Sequence, residues 1–348
     1  MIRTRWLTTL IFVFVLGLGG SVVGAQTVKI TPLGSHTGEF CRNDRALLFE
    51  DPTGLRILYD AGRTVAGAAD SRLGNVHVII LTSVHSDHIG DQKATAVNAG
   101  SCANPTTASA APNSNVAEIA AAKRSTIVVG GEMHTYLSAK ITDAGAKVAA
   151  CPGVENLTVS DPPAAADLRT CISRHGAKRI VRLGTAAQGV QIATVRADHS
   201  NGVPVEVLNS ALSTNLKPDN LTAYVGPEYG YVLKFTNGLT VYLSGDTGHT
   251  SDMETIVNRY YGANLAVVHM GDIFTMGPEE AAFAVKELIK AKAVIPEHAN
   301  EAATSGGKVL PKSRTARFID LVKGIPVHVP LSGKTMEFDK NATCVAGC

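Results

Sequence analysis

The chain has 348 residues, 45% hydrophobic and 18% charged, with a mean hydropathy of +0.11, which suits a large buried core and excludes a disordered chain. Its formal charge is +2, and loss of the first 25 residues, which hold Arg3 and Arg5 and no acid, brings it to 0. A neutral mature chain offers no electrostatic case for nucleic acid as a partner.

The N-terminus places Arg3 and Arg5 before the apolar run Leu10-Ile11-Phe12-Val13-Phe14-Val15-Leu16 and ends in Val23-Gly24-Ala25 before Gln26. A short apolar stretch followed by small residues predicts a secretory signal peptide cut after Ala25, since the run is too short for a confident membrane span. The expected organisation is a signal peptide over 1–25, one main domain over 26–340 and a Cys-containing tail over 341–348. The expected location is periplasmic or secreted, without stable membrane insertion after cleavage; an uncleaved N-terminal anchor is the alternative. Cys41, Cys102, Cys151, Cys171, Cys344 and Cys348 all follow the cut, and an even count in an exported chain predicts disulfides, with 15 pairings open. Either Cys344 or Cys348 is expected to tie the tail back to the body.

Apolar runs at 28–33, 46–50 and 55–60 predict three early strands, the last two joined by the turn Asp51-Pro52-Thr53-Gly54. The run Val76-His77-Val78-Ile79-Ile80-Leu81 reads as a buried strand. Helices are predicted over 114–123 and 133–144, flanking a strand over 126–129. The Ala/Ser/Thr/Asn/Pro-rich stretch 98–113 is expected to be an exposed loop beside the site. The pattern weakens over 161–189, which marks a junction between halves. Strands resume at 190–196, 229–235, 239–244, 265–269, 293–296, 327–330 and 335–338. A helix opens at Gly277-Pro278-Glu279-Glu280, with proline at its first position and two acids beside its positive end, and a last helix covers 314–322.

The chemistry is concentrated in Leu81-Thr82-Ser83-Val84-His85-Ser86-Asp87-His88-Ile89-Gly90-Asp91, where a buried strand runs out into a loop. His85, Asp87 and His88 are the donor types that divalent cations such as Zn²⁺ take, and a catalytic site needs such donors with one coordination position left open. Three more ligand-type residues follow other apolar strands: His199 after the 190–196 run, Asp246 in Ser244-Gly245-Asp246-Thr247-Gly248, and His298 after 293–296. His77, His269, His175, His328 and His134 are assigned to packing, while His36 and His249 are weaker candidates for substrate contact. Glu228, Tyr229 and Tyr231 are possible cleft residues.

In this order the residues resemble the metallo-β-lactamase superfamily, whose motif is His-x-His-x-Asp-His followed by a distant His, an Asp and a last His. The phrases Ile57-Leu58-Tyr59-Asp60-Ala61-Gly62, Ser244-Gly245-Asp246-Thr247-Gly248 and Phe274-Thr275-Met276-Gly277-Pro278-Glu279-Glu280-Ala281 are most similar to the branch that contains the ascorbate-phosphate lactonases. The resemblance implies an α/β fold, an αββα four-layer sandwich, with a dinuclear site at one edge. One metal would take His85 and His199, the other Asp87, His88 and His298, with Asp246 bridging. The first motif histidine is replaced by Ser83, a much poorer donor, so the expectation is one Zn²⁺ held tightly and a second more weakly, with Fe or Mn as alternative metals. Asp60 and Asp91 are expected behind the ligands, fixing imidazole tautomers.

These readings imply an exported, zinc-dependent hydrolase acting on a small molecule. Hydroxide generated at the metal would attack a lactone, ester or amide bond, a β-lactam among the candidates, with Asp87 accepting or orienting the water's proton. One alternative is a metal- or ligand-binding protein on the same scaffold, with catalysis weakened by Ser83. Another is a phosphodiesterase, against which stands the lack of a basic cluster near the motif in sequence. Specificity is assigned to loops such as 98–113, and oligomeric state is left open.

Overall fold

A computed structural model describes residues 26–348; the expected signal peptide lies outside the described residues. Among them, two sheets face one another. The first has eight strands in the order Cys344–Ala346, Met336–Phe338, Val28–Pro32, Leu47–Glu50, Arg56–Tyr59, Val78–Ile80, Thr126–Val129 and Thr170–Ile172. The second has seven: Ala293–Glu297, Leu265–His269, Thr240–Leu243, Tyr229–Lys234, Val190–Arg196, Lys178–Leu183 and Asn156–Val159.

The layers follow from where the apolar side chains point. Ile57, Ile79 and Ile127 of the first sheet share a core with Tyr231, Leu233 and Leu243 of the second. Val116, Ile119, Met133, Leu137 and Ile141 of the helices Asn115–Lys123 and Gly131–Asp143 join the same cluster from outside the first sheet. A second cluster sets Val232, Tyr242, Ala266 and Val268 against Ala281, Val285, Ile289 and Phe318, which lie on the helical segments Pro278–Phe283, Ala284–Ile289 and Arg314–Leu321. Helix, sheet, sheet and helix form the αββα sandwich that the motifs implied. No described helix is long and apolar enough to cross a membrane.

Most predicted elements lie within two residues of the observed ones. The segment 327–330 is an exception, since Val327 makes only an isolated bridge to Val294. The junction region holds real strands, Thr170–Ile172 in the first sheet and Lys178–Leu183 in the second, so the chain crosses between sheets there. Segment 98–113 is largely exposed, and Thr107–Ser109 pairs with Gln92–Ala94.

All six cysteines are paired, as Cys41–Cys102, Cys151–Cys171 and Cys344–Cys348. The expected link from the tail to the body is thereby corrected: the two last cysteines bond to each other, and the tail is held by strand pairing between Cys344–Ala346 and Met336–Phe338. Cys41–Cys102 spans 61 residues of sequence. In the chain-entropy picture such a loop constrains the unfolded chain by about 4 kcal/mol. Thiol titration of the unreduced protein in denaturant should find only trace free thiol, and reduction should lower its melting temperature; recovery of most of the six thiols would contradict the pairing.

Candidate metal centre

The site lies at the edge where several parallel strands end. Tyr231 donates its hydroxyl to the Leu81 carbonyl at 2.8 Å, tying the start of the motif to the opposite sheet. Beyond it the chain makes the single helical turn Ser86–Ile89, closed by Gly90 at φ +71°, where a side chain would press on the Gly62 carbonyl. Gly245 plays the same part before Asp246: at φ +62° an added Cβ would sit 2.8 Å from the Tyr229 carbonyl.

The structure brings His85, Asp87, His88, His199, Asp246 and His298 together. Potential donor atoms of His85, His199 and Asp246 lie within 4.8 Å of one another, as do those of Asp87, His88 and His298. Asp246 links the groups. Its Oδ2 is 3.0 Å from His88 Nε2 and 3.8 Å from His199 Nε2, and its Oδ1 is 3.2 Å from His298 Nε2. His88 Nδ1 bonds Asp60 at 2.8 Å, and Asp60 is fixed by the Thr82 amide at 2.9 Å and the Thr82 hydroxyl at 2.6 Å. Asp60 thus orients an imidazole. Asp91 does not: it pairs with Arg63 at 2.7 Å, an ion pair that braces the loop instead.

Electrostatics decide what the cluster can hold. Burial, reinforced by the Arg45 charge, pushes His298 down to about 4, so its ring is neutral at physiological pH. Both its buried nitrogens lack a hydrogen-bond partner, although Nε2 lies 3.2 Å from Asp87 Oδ2 as well as from Asp246. Burial raises the cost of charge on Asp87 and Asp246, yet their cationic neighbours outweigh it, His88 first, and hold both well below the usual carboxylate range. Burial opposes charge on His88 too, but Asp246, Asp87 and Asp60 keep it well above the ordinary histidine value. A neutral orphan imidazole set between two ionised carboxylates fits a divalent cation, and so does the His/Asp donor set as a whole.

Several participants were not singled out beforehand. His269, assigned to packing, is fully buried with Nδ1 2.7 Å from Asp246 and Nε2 2.9 Å from Glu297. It ends the apolar strand Leu265–His269, the same strand-end signal that marked His298. Arg45, 2% exposed, holds Asp87 Oδ2 at 3.2 Å and Asn300 Oδ1 at 2.9 Å. Arg45 has no such local sequence signal.

Other expectations need correction. A cavity of about 740 Å³ opens over His85, Asp87, His199, Asp246 and His298, and none of its lining comes from 98–113. Its outer wall is drawn instead from 202–222, together with Phe274 and Asn300. His36 bonds Ser35 and the Gly100 carbonyl, and His249 bonds the Glu280 carbonyl; neither lines the cavity. Glu228, Tyr229 and Tyr231 are buried and do not line it either. Conversely, Arg42, Arg45, Arg63 and Lys217 all reach its wall, so folding assembles the basic cluster that the linear sequence lacks.

Comparison with known proteins agrees with this geometry. Residues 161–299 match the model of the beta-lactamase superfamily domain. A UPF0173 metal-dependent hydrolase of Cupriavidus metallidurans is 30% identical over 66% of this chain and 59% of its own length. Another from Polynucleobacter asymbioticus is 31% identical over 44% of this chain and 50% of its own. The chain therefore spans about half to three-fifths of these curated relatives. The solved structure of Igni18, a metallo hydrolase from Ignicoccus hospitalis, superposes with a TM-score of 0.55 at 21% identity, covering 90% of this chain and 99% of that one. With its four-layer sandwich and a cluster of His and Asp donors at one sheet edge, the chain has the metallo-β-lactamase fold and, over residues 161–299, is similar to the beta-lactamase superfamily domain.

Proposed function

We propose that this chain is an exported metal-dependent hydrolase of small molecules, with zinc as the first metal and lactone, ester or amide bonds, β-lactams included, as substrates. The observation that carries the reading is His298, whose unpartnered buried nitrogens lie beside Asp87 and Asp246 at the floor of an open cavity. The similar UPF0173 proteins are named metal-dependent hydrolases, which supports the reaction class. Three disulfides among the described residues support export. His85, His199 and Asp246 would hold one cation, and Asp87, His88, Asp246 and His298 the other.

When bound, a divalent cation would lower the pKa of a coordinated water to about 7 and polarise the oxygen of the attacked group. The chain's own residues orient what reacts. Arg45 and His298 both address Asp87 Oδ2, which fixes the carboxylate at the cavity floor. Held well below the usual carboxylate range, Asp87 is a poor proton sink and a good acceptor of a water's hydrogen bond, so orientation is assigned to it rather than lasting proton uptake. Asp60 keeps His88 Nδ1 occupied, which directs Nε2 toward Asp246 and the cation site.

Phosphodiester cleavage is a second reading with its own observation, the four basic side chains on the cavity wall. Arg45 and Arg63 are committed to Asp87 and Asp91, which leaves Arg42 and Lys217 to meet an anionic substrate. Assay of the metal-replete protein against lactones, β-lactams and phosphodiesters, with metal content measured in parallel, separates the readings. Turnover of an uncharged lactone or a β-lactam that is lost on chelation supports the first, and turnover confined to phosphodiesters replaces it with the second.

Asp87→Ala should lower turnover at least about a hundredfold by removing a ligand and the water's acceptor together. Arg45 keeps Asn300 and two backbone carbonyls, so the fold should persist in circular dichroism. Undiminished turnover in the metal-loaded variant would refute the role given to Asp87. Metal affinity should also depend on pH with a definite sign. Because His88 is raised and carries a proton in the metal-free chain, a cation must displace that proton. Affinity should then fall by about tenfold or more as the pH drops from about 7.5 to about 5, with proton release on binding; calorimetry in buffers of different ionisation enthalpy would show it, and a pH-independent affinity would contradict it.

A further inference from the structure

The position where the family motif has its first histidine holds Ser83, which leaves His85, His199 and Asp246 as a group of three donors. Ser83 is fully buried, and its Oγ accepts the His85 amide at 2.9 Å. A hydroxyl there neither fills the volume of an imidazole nor supplies its lone pair.

Glu228 comes to the same place from the other sheet. The Tyr229 amide donates to the Thr82 carbonyl at 3.1 Å, which lays residue 228 alongside Ser83. Asn201 clamps the pair of segments, accepting the Val84 amide at 2.8 Å and donating to the Gly226 and Pro227 carbonyls at 3.0 and 3.1 Å. The Glu228 carboxyl is fully buried beside the Ser83 hydroxyl, with Asp246, His88 and Asp60 as charged neighbours. Neither of its oxygens has a hydrogen-bond partner in good geometry. A buried carboxyl left in this state next to other acids is costly.

We infer that Glu228 takes the place of the absent histidine, supplying a carboxylate oxygen to a cation held by His85, His199 and Asp246. The inference rests on reading those three residues as a metal pocket. The Glu228 oxygens stand outside the preformed group of three donors, so ligation turns the side chain toward the cation. The chemical consequence is selective. Replacing an imidazole with a carboxylate makes the pocket richer in oxygen and shifts its preference from Zn²⁺ toward harder cations such as Mn²⁺. The Ser83 hydroxyl, with its lone pair engaged by the His85 amide, keeps its proton to offer to the carboxylate oxygen that does not bind metal.

The test is equilibrium dialysis of the full mature chain with Zn²⁺ and with Mn²⁺, comparing wild type, Glu228→Gln, and Ser83→His combined with Glu228→Gln. Wild type should bind two equivalents. Glu228→Gln should keep one and bind the second about tenfold or more weakly, while its metal-free form melts no lower than wild type because no partnered carboxylate is lost. The double variant should regain the second equivalent with Zn²⁺ favoured over Mn²⁺. A crystal structure of the metal-loaded wild type gives an independent readout, with a Glu228 oxygen expected about 2.0–2.2 Å from the cation. Two equivalents bound with unchanged affinity by Glu228→Gln, or a loaded crystal with Glu228 outside the metal's shell, would overturn this inference alone. A wild-type chain that binds no cation would overturn it together with the metallohydrolase reading.

Discussion

Asp246 is the constraint around which the rest of the site is built. It is a buried carboxylate reached by His88, His199, His269 and His298, with Asp60, Asp87, Glu228 and Glu297 close behind. Removing an ionised carboxylate from water costs several kcal/mol even after relaxation, and each further acid in the same region adds repulsion. In the metal-free chain the compensation comes from Arg45 and from protons retained on His88 and His269. Divalent cations would supply the same compensation more directly and leave those protons to be released.

The fold provides what this arrangement needs, which is rigidity. Strands of both sheets stop at one edge, so donors far apart in the chain arrive from well-packed elements. Positions that a metal shell would strain are held from behind: Asp60 by Thr82, the motif start by the Tyr231 hydroxyl, Asp87 by Arg45. Each support is buried, so it acts where charge interactions are least screened. The cavity above remains open, with Arg42, Arg63 and Lys217 on its wall and Arg45 set against the Asp87 carboxylate.

Much of this was legible in the amino-acid order, and the reason is physical. Strands such as Leu265–His269 and Val190–Arg196 are apolar runs buried on both faces, which sequence displays directly. Histidines and aspartates just beyond such runs stand out because a polar residue there is expected to be solvated unless it has work to do. His269 escaped notice because it ends its strand within the buried run, where a packing role is the ordinary expectation. The basic wall escaped because Arg42, Arg45, Arg63 and Lys217 are separated by up to 175 residues and meet only through tertiary packing. Glu228 reads in sequence only as a candidate cleft residue, because its missing partner is a property of three dimensions.

The central claim is that the folded chain, and not the unfolded one, binds cations through the residues around Asp246. Its most direct test is the thermal unfolding of chelated protein with and without added Zn²⁺ or Mn²⁺. Because a ligand at a hundred times its dissociation constant stabilises the native state by about 2.7 kcal/mol, the melting temperature should rise by several degrees and continue to rise with metal concentration. A melting temperature indifferent to both metals would contradict the account.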